Sequence, residues 1–313
     1  IIIISGMSEL KKQIYKAQCI GNVEPIEYMV PYPNLRALID GQNIKYGEKM
    51  VYADHGLTSD KVYRMAQQTA NWLVSLGVSP KDRVLIDKLP FPEPEIIALG
   101  AWTLGSSLVL MGDDDREGAT KSAQPKLIIT EETGLLEKIK TFPETYNPDF
   151  KSLLQDEAIV FWQKNTGIRL SHYNILVNTN GIQHAIGLYE NQSFYVNLDA
   201  DSMPWVILQI VLPLYSGAPI DKNKADVTFG DIDSDYLIQY EWASITNSQP
   251  NTLNVCNENT AFISIGDQPI HLTEVNDLDN PKSISGHSVM MGYLDDTVNR
   301  KVFKDGQLFI IDQ

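Results

Sequence analysis

Between positions 58 and 77 the residues Val62, Met65, Ala66, Thr69, Leu73 and Leu76 recur at helical spacing. Thr58 is placed to cap the start of that helix and Gly77 to stop it. The pattern then shortens to a β-rich run over 82–87. A helical spacing follows over 94–104, and a second apolar run over 107–111. The alternation continues with a strand over 126–130, a helix over 134–140, a strand over 158–161 and a long helix opening at Ser171. Strand, helix, strand in repetition predicts an α/β fold, with parallel-sheet layers covered by helices. In it, 84–86, 108–110 and 127–129 should be neighbouring buried strands.

After about position 220 the pattern changes to short β-like runs at 261–265, 270–275, 288–291 and 308–311, separated by Asn, Asp, Gly and Pro. This predicts a smaller β-rich subdomain at the C-terminal end. The expected organisation is an α/β body over 7–220 and a shortened β-rich unit over 221–313. No internal repeat or heptad competes with it. The acidic run Asp113-Asp114-Asp115 reads as a solvated loop.

Composition narrows the function classes. The chain has 313 residues, 43% hydrophobic and 21% charged, and no apolar run long enough to span a bilayer. Its 25 basic against 40 acidic residues give a net charge of −15, which repels nucleic acid at long range. A single nucleotide is not excluded, because backbone N–H groups alone can hold a phosphate. Cys19 and Cys256 are far apart and have no metal-ligand spacing, which fits a reducing, cytoplasmic setting with no disulfide framework. The five histidines are scattered, no Cys-x-x-Cys or Gly-x-Ser-x-Gly occurs, and no metal site is expected. The head Ile1-Ile2-Ile3-Ile4-Ser5-Gly6 is too short for a signal peptide and reads as foreign to a start at Met7.

Several segments follow one another in a familiar order. They are Leu76-Gly77-Val78-Ser79-Pro80-Lys81-Asp82-Arg83-Val84, Ala98-Leu99-Gly100-Ala101-Trp102, Pro125-Lys126-Leu127-Ile128-Ile129-Thr130, Leu170-Ser171-His172-Tyr173-Asn174 and Leu212-Pro213-Leu214-Tyr215-Ser216-Gly217-Ala218. Near the end come Ser288-Val289-Met290-Met291-Gly292-Tyr293 and Phe303-Lys304-Asp305-Gly306-Gln307-Leu308. The set resembles the N-terminal domain of the adenylate-forming acyl-acid ligases: acyl- and aryl-CoA synthetases, luciferases and peptide-synthetase adenylation domains. The resemblance runs over roughly residues 25–313, with one poorly matched stretch.

That resemblance implies ATP-dependent activation of a carboxylic acid to an acyl adenylate, with Mg²⁺ as cofactor. A thiol acceptor, coenzyme A or a carrier protein, would follow. It also exposes departures. The family's phosphate-wrapping loop corresponds here to Phe161-Trp162-Gln163-Lys164-Asn165-Thr166-Gly167-Ile168-Arg169, shortened and without its Pro-Lys pair, so only Thr166 and Gly167 match as cofactor-binding candidates. Lys164 and Arg169 are more simply solvated charges of a surface turn, and Ser171 a helix cap with a structural His172 beside it. Where the family often carries His in its acid pocket, this chain reads Asp201-Ser202-Met203-Pro204-Trp205. Ser202, Met203 and Trp205 are the substrate-pocket candidates, against a plain core role for Trp205. The Tyr-Gly-x-Thr-Glu motif that helps hold Mg²⁺ in the family has no counterpart, and 221–262 is too short to contain that region. Asp312 aligns with the ribose-binding aspartate, against a surface-aspartate reading. No residue up to Gln313 takes the role of the family's C-terminal-domain lysine, and no catalytic residue is assigned. The head resembles an internal family strand ending in Ser-Gly.

Two functions compete. One is a carboxylate-activating ligase that is not competent as the chain stands. The other is a non-catalytic pseudoenzyme serving as an acyl-binding or scaffold subunit.

Overall fold

The computed structural model describes residues 7–26, 28, 30–130, 134–240 and 244–310. Its first sheet follows the sequence alternation. Strands β1 (Arg83–Ile86), β2 (Ser107–Met111), β3 (Leu127–Ile129) and β4 (Glu157–Gln163) are mutually parallel in the order β4-β2-β1-β3. The neighbours β2, β1 and β3 are those expected from the pattern. The burial differs at the edge, where Ile128 is 40% exposed because β3 has a neighbour on one side only. On the other side β5 (Thr166–Ser171) returns antiparallel from β4, and Gly292–Tyr293 adds the last strand.

Helix α2 (Glu93–Leu104) packs on this sheet, α1 (Ser59–Ser75) packs on α2, and α3 (Arg116–Ala123) lies against β2 and β5. The Thr58 hydroxyl accepts from the Lys61 N–H, and Gly77 takes the left-handed conformation beyond the helix, as the sequence reading requires. The two helices meet at Gly100. A Cβ there would lie 2.2 Å from Thr69 Cγ2, so only glycine permits the approach. The Trp102 indole N–H then reaches across to the Ala158 carbonyl at 3.0 Å.

The second layer was only partly legible. Strands β6 (Phe194–Asn197), β7 (Val227–Gly230), β8 (Tyr236–Gln239) and β9 (Thr252–Val255) are parallel, and β10 (Phe262–Ile265) and β11 (Gln268–Pro269) close the sheet antiparallel. Because β6 pairs with β7, position 220 falls inside this sheet and does not separate two units. Parallel neighbours normally need a crossover of a dozen residues. Here β8 is staggered past the end of β7, pairing Tyr236 with Phe229 and Leu237 with Gly230, so the short link 231–235 suffices. The antiparallel subdomain proper is smaller than expected: Thr273–Asn276, Ser283–Gly286, Phe303–Lys304 and Gln307–Phe309. The run 288–291 is not a strand; it connects Ser283–Gly286 to Gly292–Tyr293.

Between the two large sheets lies α4 (His172–Ile186), touching β5 and β10. Ser171 caps it in a reciprocal box with Asn174, which fulfils the structural reading of Ser171. His172 is buried and its Nδ1 accepts the Leu35 N–H at 3.3 Å. Burial pushes its pKa down to about 4, so the ring stays neutral and keeps that acceptor.

After Ser202 the chain turns through Met203–Trp205 into a π-helical stretch, Val206–Val211. Pro213 has no N–H to offer the Gln209 carbonyl, and the Tyr52 hydroxyl donates to that carbonyl at 3.0 Å. Against this helix Glu95 is fully buried. Its Oε1 accepts from Trp205 Nε1 at 3.0 Å and Gln209 Nε2 at 2.6 Å, while Oε2 has no partner among the described residues. Burial raises its pKa from 4.5 to about 7, outweighing the two donors.

A raised acid pKa makes the folded state bind the extra proton, so stability is lost as pH rises from the unfolded value toward the folded one. Wild-type protein should lose on the order of 3 kcal/mol of Glu95-dependent stability between pH 4.5 and 7 and little more above it. Urea melts of wild type and Glu95→Gln across this range test it. Parallel pH profiles for the two proteins would show that Glu95 is ionised in the core.

Candidate functional site

Ligands of open α/β sheets sit beyond the C-terminal ends of parallel strands, where the loops diverge. Here both large sheets turn those ends toward one cleft of about 680 Å³. Gly112 follows β2, Gln163 ends β4, Asp201 and Ser202 follow β6, Asp231 follows β7, Tyr240 follows β8, and Asn257 and Glu258 follow β9; all line it.

The β4–β5 hairpin forms one lip. Lys164 and Asn165 have φ of 47° and 58°, the paired left-handed conformations of a two-residue turn, and Gln163 pairs directly with Thr166. The turn is tied on both flanks. The Lys164 N–H donates to Asp113 at 2.7 Å, and Asn257 Nδ2 donates to Gln163 Oε1 at 2.8 Å. The acidic run is therefore more than a solvated loop. Asp113 anchors the hairpin, while Asp115 caps the helix Arg116–Ala123 and accepts from the Trp162 indole at 3.2 Å.

Opposite the hairpin, β9 runs into a 3₁₀ turn, Asn257–Asn259. Glu258 accepts from the Tyr293 hydroxyl at 3.0 Å and from the Cys256 thiol at 3.4 Å. Burial, then the charge of Glu258, raises the thiol's pKa and keeps it protonated. The next residue is strained. Thr260 has φ 72° and ψ −68°, and the Ala261 N–H closes onto the Asn259 carbonyl at 2.9 Å, a γ-turn that a β-branched residue adopts at a cost. The Thr260 hydroxyl holds the Ser288 carbonyl at 2.7 Å.

The third wall is acidic. Asp199, Asp201 and Asp231 line the cleft with Glu258, against Lys164 and Lys282. Partial burial, then the neighbouring Asp199, raises the carboxyls of Asp201 and Asp231 above the usual range. Burial also lifts Tyr240 to about 12, with the three aspartates adding to the rise.

No family model matches the sequence, and no curated protein matches it. Solved structures do. VinN superposes with a TM-score of 0.74 at 13% identity, covering 91% of this chain and 97% of that one. The N-terminal domain of FACL13 from Mycobacterium tuberculosis gives 0.69 at 12%, covering 88% and 95%. McyG A-PCP complexed with phenylalanyl-adenylate gives 0.73 at 13%, covering 90% of this chain and 64% of that one. The chain has the fold of an adenylate-forming ligase N-terminal domain.

Within this ligase fold the sequence candidates separate. Thr166 and Ser202 reach the same cleft. Thr166 is 8% exposed and its hydroxyl has no hydrogen-bond partner among the described residues, while Ser202 accepts from the Trp205 N–H at 3.2 Å. Met203 and Trp205 are fully buried in the core behind the wall, in place of the expected pocket lining; Trp205 is spent on Glu95. Asp312 lies outside the described residues. Gly167 serves packing, since a Cβ there would sit 2.5 Å from Leu294 Cδ1 and 3.1 Å from Val160 Cγ1. Sequence reasoning missed Asp199, Asp231, Tyr240, Asn257 and Glu258. Their signal was positional: each follows a parallel strand of the second sheet, and those strands were not seen.

Gly167→Ala should destabilise the protein by about 1–3 kcal/mol through overpacking. Adding Leu294→Ala should return part of the loss. Urea midpoints check both, and a neutral Gly167→Ala would free Gly167 for a role in the cleft.

Proposed function

We propose that this chain is a non-catalytic relative of the adenylate-forming ligases that holds a small acyl or aryl ligand in the cleft between its two sheets without adenylating it. The observation that carries this reading is the two-residue turn Lys164-Asn165 at the lip where the family wraps a nucleotide's phosphates. A turn this tight offers no run of free backbone N–H groups. The Lys164 N–H is already given to Asp113.

The charges of the cleft agree. Four carboxylates face two lysines, which opposes a triphosphate in a partly desolvated space. The residues present thus do not fit ATP with Mg²⁺: the closed turn offers no phosphate cradle, and the family's metal-holding Glu motif has no counterpart in the sequence. What the cleft retains is a buried Thr166 hydroxyl with no partner among the described residues, the Ser202 hydroxyl and the Tyr240 ring, around a volume suited to a small molecule.

The competing reading is an active ligase that passes its product to a thiol. It draws on neighbours whose titles name a fatty acyl CoA synthetase and an adenylation-PCP di-domain. ATP, Mg²⁺, a carboxylic acid and coenzyme A or a carrier protein would be its ligands. The two readings part in one assay. The 313-residue protein should show no ATP–pyrophosphate exchange with a panel of alkyl and aryl carboxylic acids. Removing one preorganised charge-stabilising group costs roughly a hundredfold or more. Calorimetric titration of the same acids should give saturable heats, weakened by Thr166→Val. Exchange above background with any acid would restore the ligase reading, and the absence of saturable binding across the panel would defeat the binding reading.

A further inference from the structure

At the far end of β4 from the cleft, about 20 Å away by strand length, a second cavity of about 390 Å³ opens beneath the N-terminal ends of β1, β2 and β4. A charge network forms its wall. The Glu157 side chain is 13% exposed, and both its oxygens are engaged. Oε1 accepts from Arg83 Nε at 2.7 Å and Ser107 Oγ at 3.0 Å. Oε2 accepts from Arg83 Nη2 at 2.9 Å and Arg169 Nε at 2.7 Å. Burial alone would raise this carboxyl, but the bonds and charges of the two arginines outweigh it and hold the pKa below the usual range.

The two arginines are used differently. Arg83 is spent, with Nε and Nη2 on Glu157 and Nη1 on the Ala123 carbonyl at 2.8 Å. Arg169 commits only Nε. Its two Nη groups have no partner among the described residues, although it lines the cavity. Two guanidinium groups on one carboxylate leave one positive charge uncompensated within the network. Lys81 lines the same cavity, its ammonium 5.4 Å from the Phe150 ring centroid and with no ion-pair partner among the described residues. Two acidic neighbours, Asp82 and Asp156, each turn Oδ2 to their own backbone, at Ser79 N and Leu153 N, both 2.8 Å.

We propose that this cavity is an oxyanion site, in which the free Nη edge of Arg169, with Lys81 on the same cavity, holds the phosphate or carboxylate group of a small molecule. A guanidinium edge matches two oxygens of either group. The Nε bond to Glu157 orients the fork before the ligand arrives, so little side-chain freedom is lost on binding. The site is independent of the cleft, from which it is separated by the length of β4.

The test titrates the full chain with inorganic phosphate and, separately, acetate, against sodium chloride at equal ionic strength, following backbone amide chemical shifts around Arg83, Ser107 and Arg169. Saturable shifts are expected with at least one of the two oxyanions and not with chloride, and the responding anion identifies the group. Arg169→Gln should weaken binding by roughly tenfold or more, whereas Asp201→Asn in the cleft should leave it unchanged. Should Arg169→Gln fail to fold, Arg169→Lys keeps the charge without the fork and should still weaken binding several-fold. Equal responses to chloride and both oxyanions, or wild-type affinity in the folded Arg169 variant, would overturn the proposal.

Discussion

The cleft exists because one buried helix satisfies backbone that no sheet reaches. Behind the cleft the chain runs irregularly through 256–262 and 286–291, and buried carbonyls there must find donors or leave costly unpaired groups. Two asparagines on α4 supply them. Asn174 Nδ2 donates to the carbonyls of His287 and Val289 at 2.9 and 3.0 Å. One turn on, Asn178 Nδ2 donates to Asn259 and Phe262 at 3.2 and 2.9 Å, and its Oδ1 takes the Phe262 N–H at 3.3 Å. This spacing puts both amides on one face of the helix. The strained Thr260 turn persists because its flanking peptides are clamped to Asn178 and its own hydroxyl is tied to Ser288. Glu258 and Asn257 are thereby held at the cleft rim without a regular element beneath them.

The same helix explains why the familiar segments survive together. Ser171-His172-Tyr173-Asn174 caps α4, accepts the Leu35 N–H and grips His287 and Val289. The segment Ser288-Val289-Met290-Met291 is the partner of that grip, and it is gripped again by Gln18 Nε2 through the carbonyls of Val289 and Met290 at 3.1 and 3.0 Å. Gly100 and Trp102 do the equivalent work between α1, α2 and β4. The segments that carried the resemblance are largely those whose side chains close backbone or permit helix contact. They preserve an architecture, and an architecture of this kind leaves the chemistry to the loops.

That division decides what could be read from sequence. The first sheet was legible because its strands are apolar runs separated by helices of strong period, as with Val84-Leu85-Ile86 before α2. Thr58, Gly77 and Ser171 were legible because capping is local. The second sheet was obscured. Val227-Thr228-Phe229-Gly230 and Tyr236-Leu237-Ile238 are too short and mixed to announce buried parallel strands, and the link 231–235 lacks the helix that marks a crossover. With those strands unseen, the aspartates and the tyrosine following them had no position. Trp205 and Met203 carried the apolar chemistry of a pocket, but the partner that meets Trp205, Glu95, stands far away in sequence, and no periodicity predicts that contact.

The β4–β5 hairpin closes in a two-residue turn without disturbing either sheet. The hairpin keeps the β4–β5 register out to Gln163 and Thr166, and Lys164 and Asn165 take the twist that matches the flanking strands. Asp113 and Asn257 then fasten the turn to the loops on either side, so the lip is tied into both sheets. A lip built this way gains rigidity by committing a backbone N–H and a side-chain amide at the cleft. On the reading proposed above, this trade between a closed hairpin and an open, donor-rich loop lets the fold hold a ligand without adenylating it.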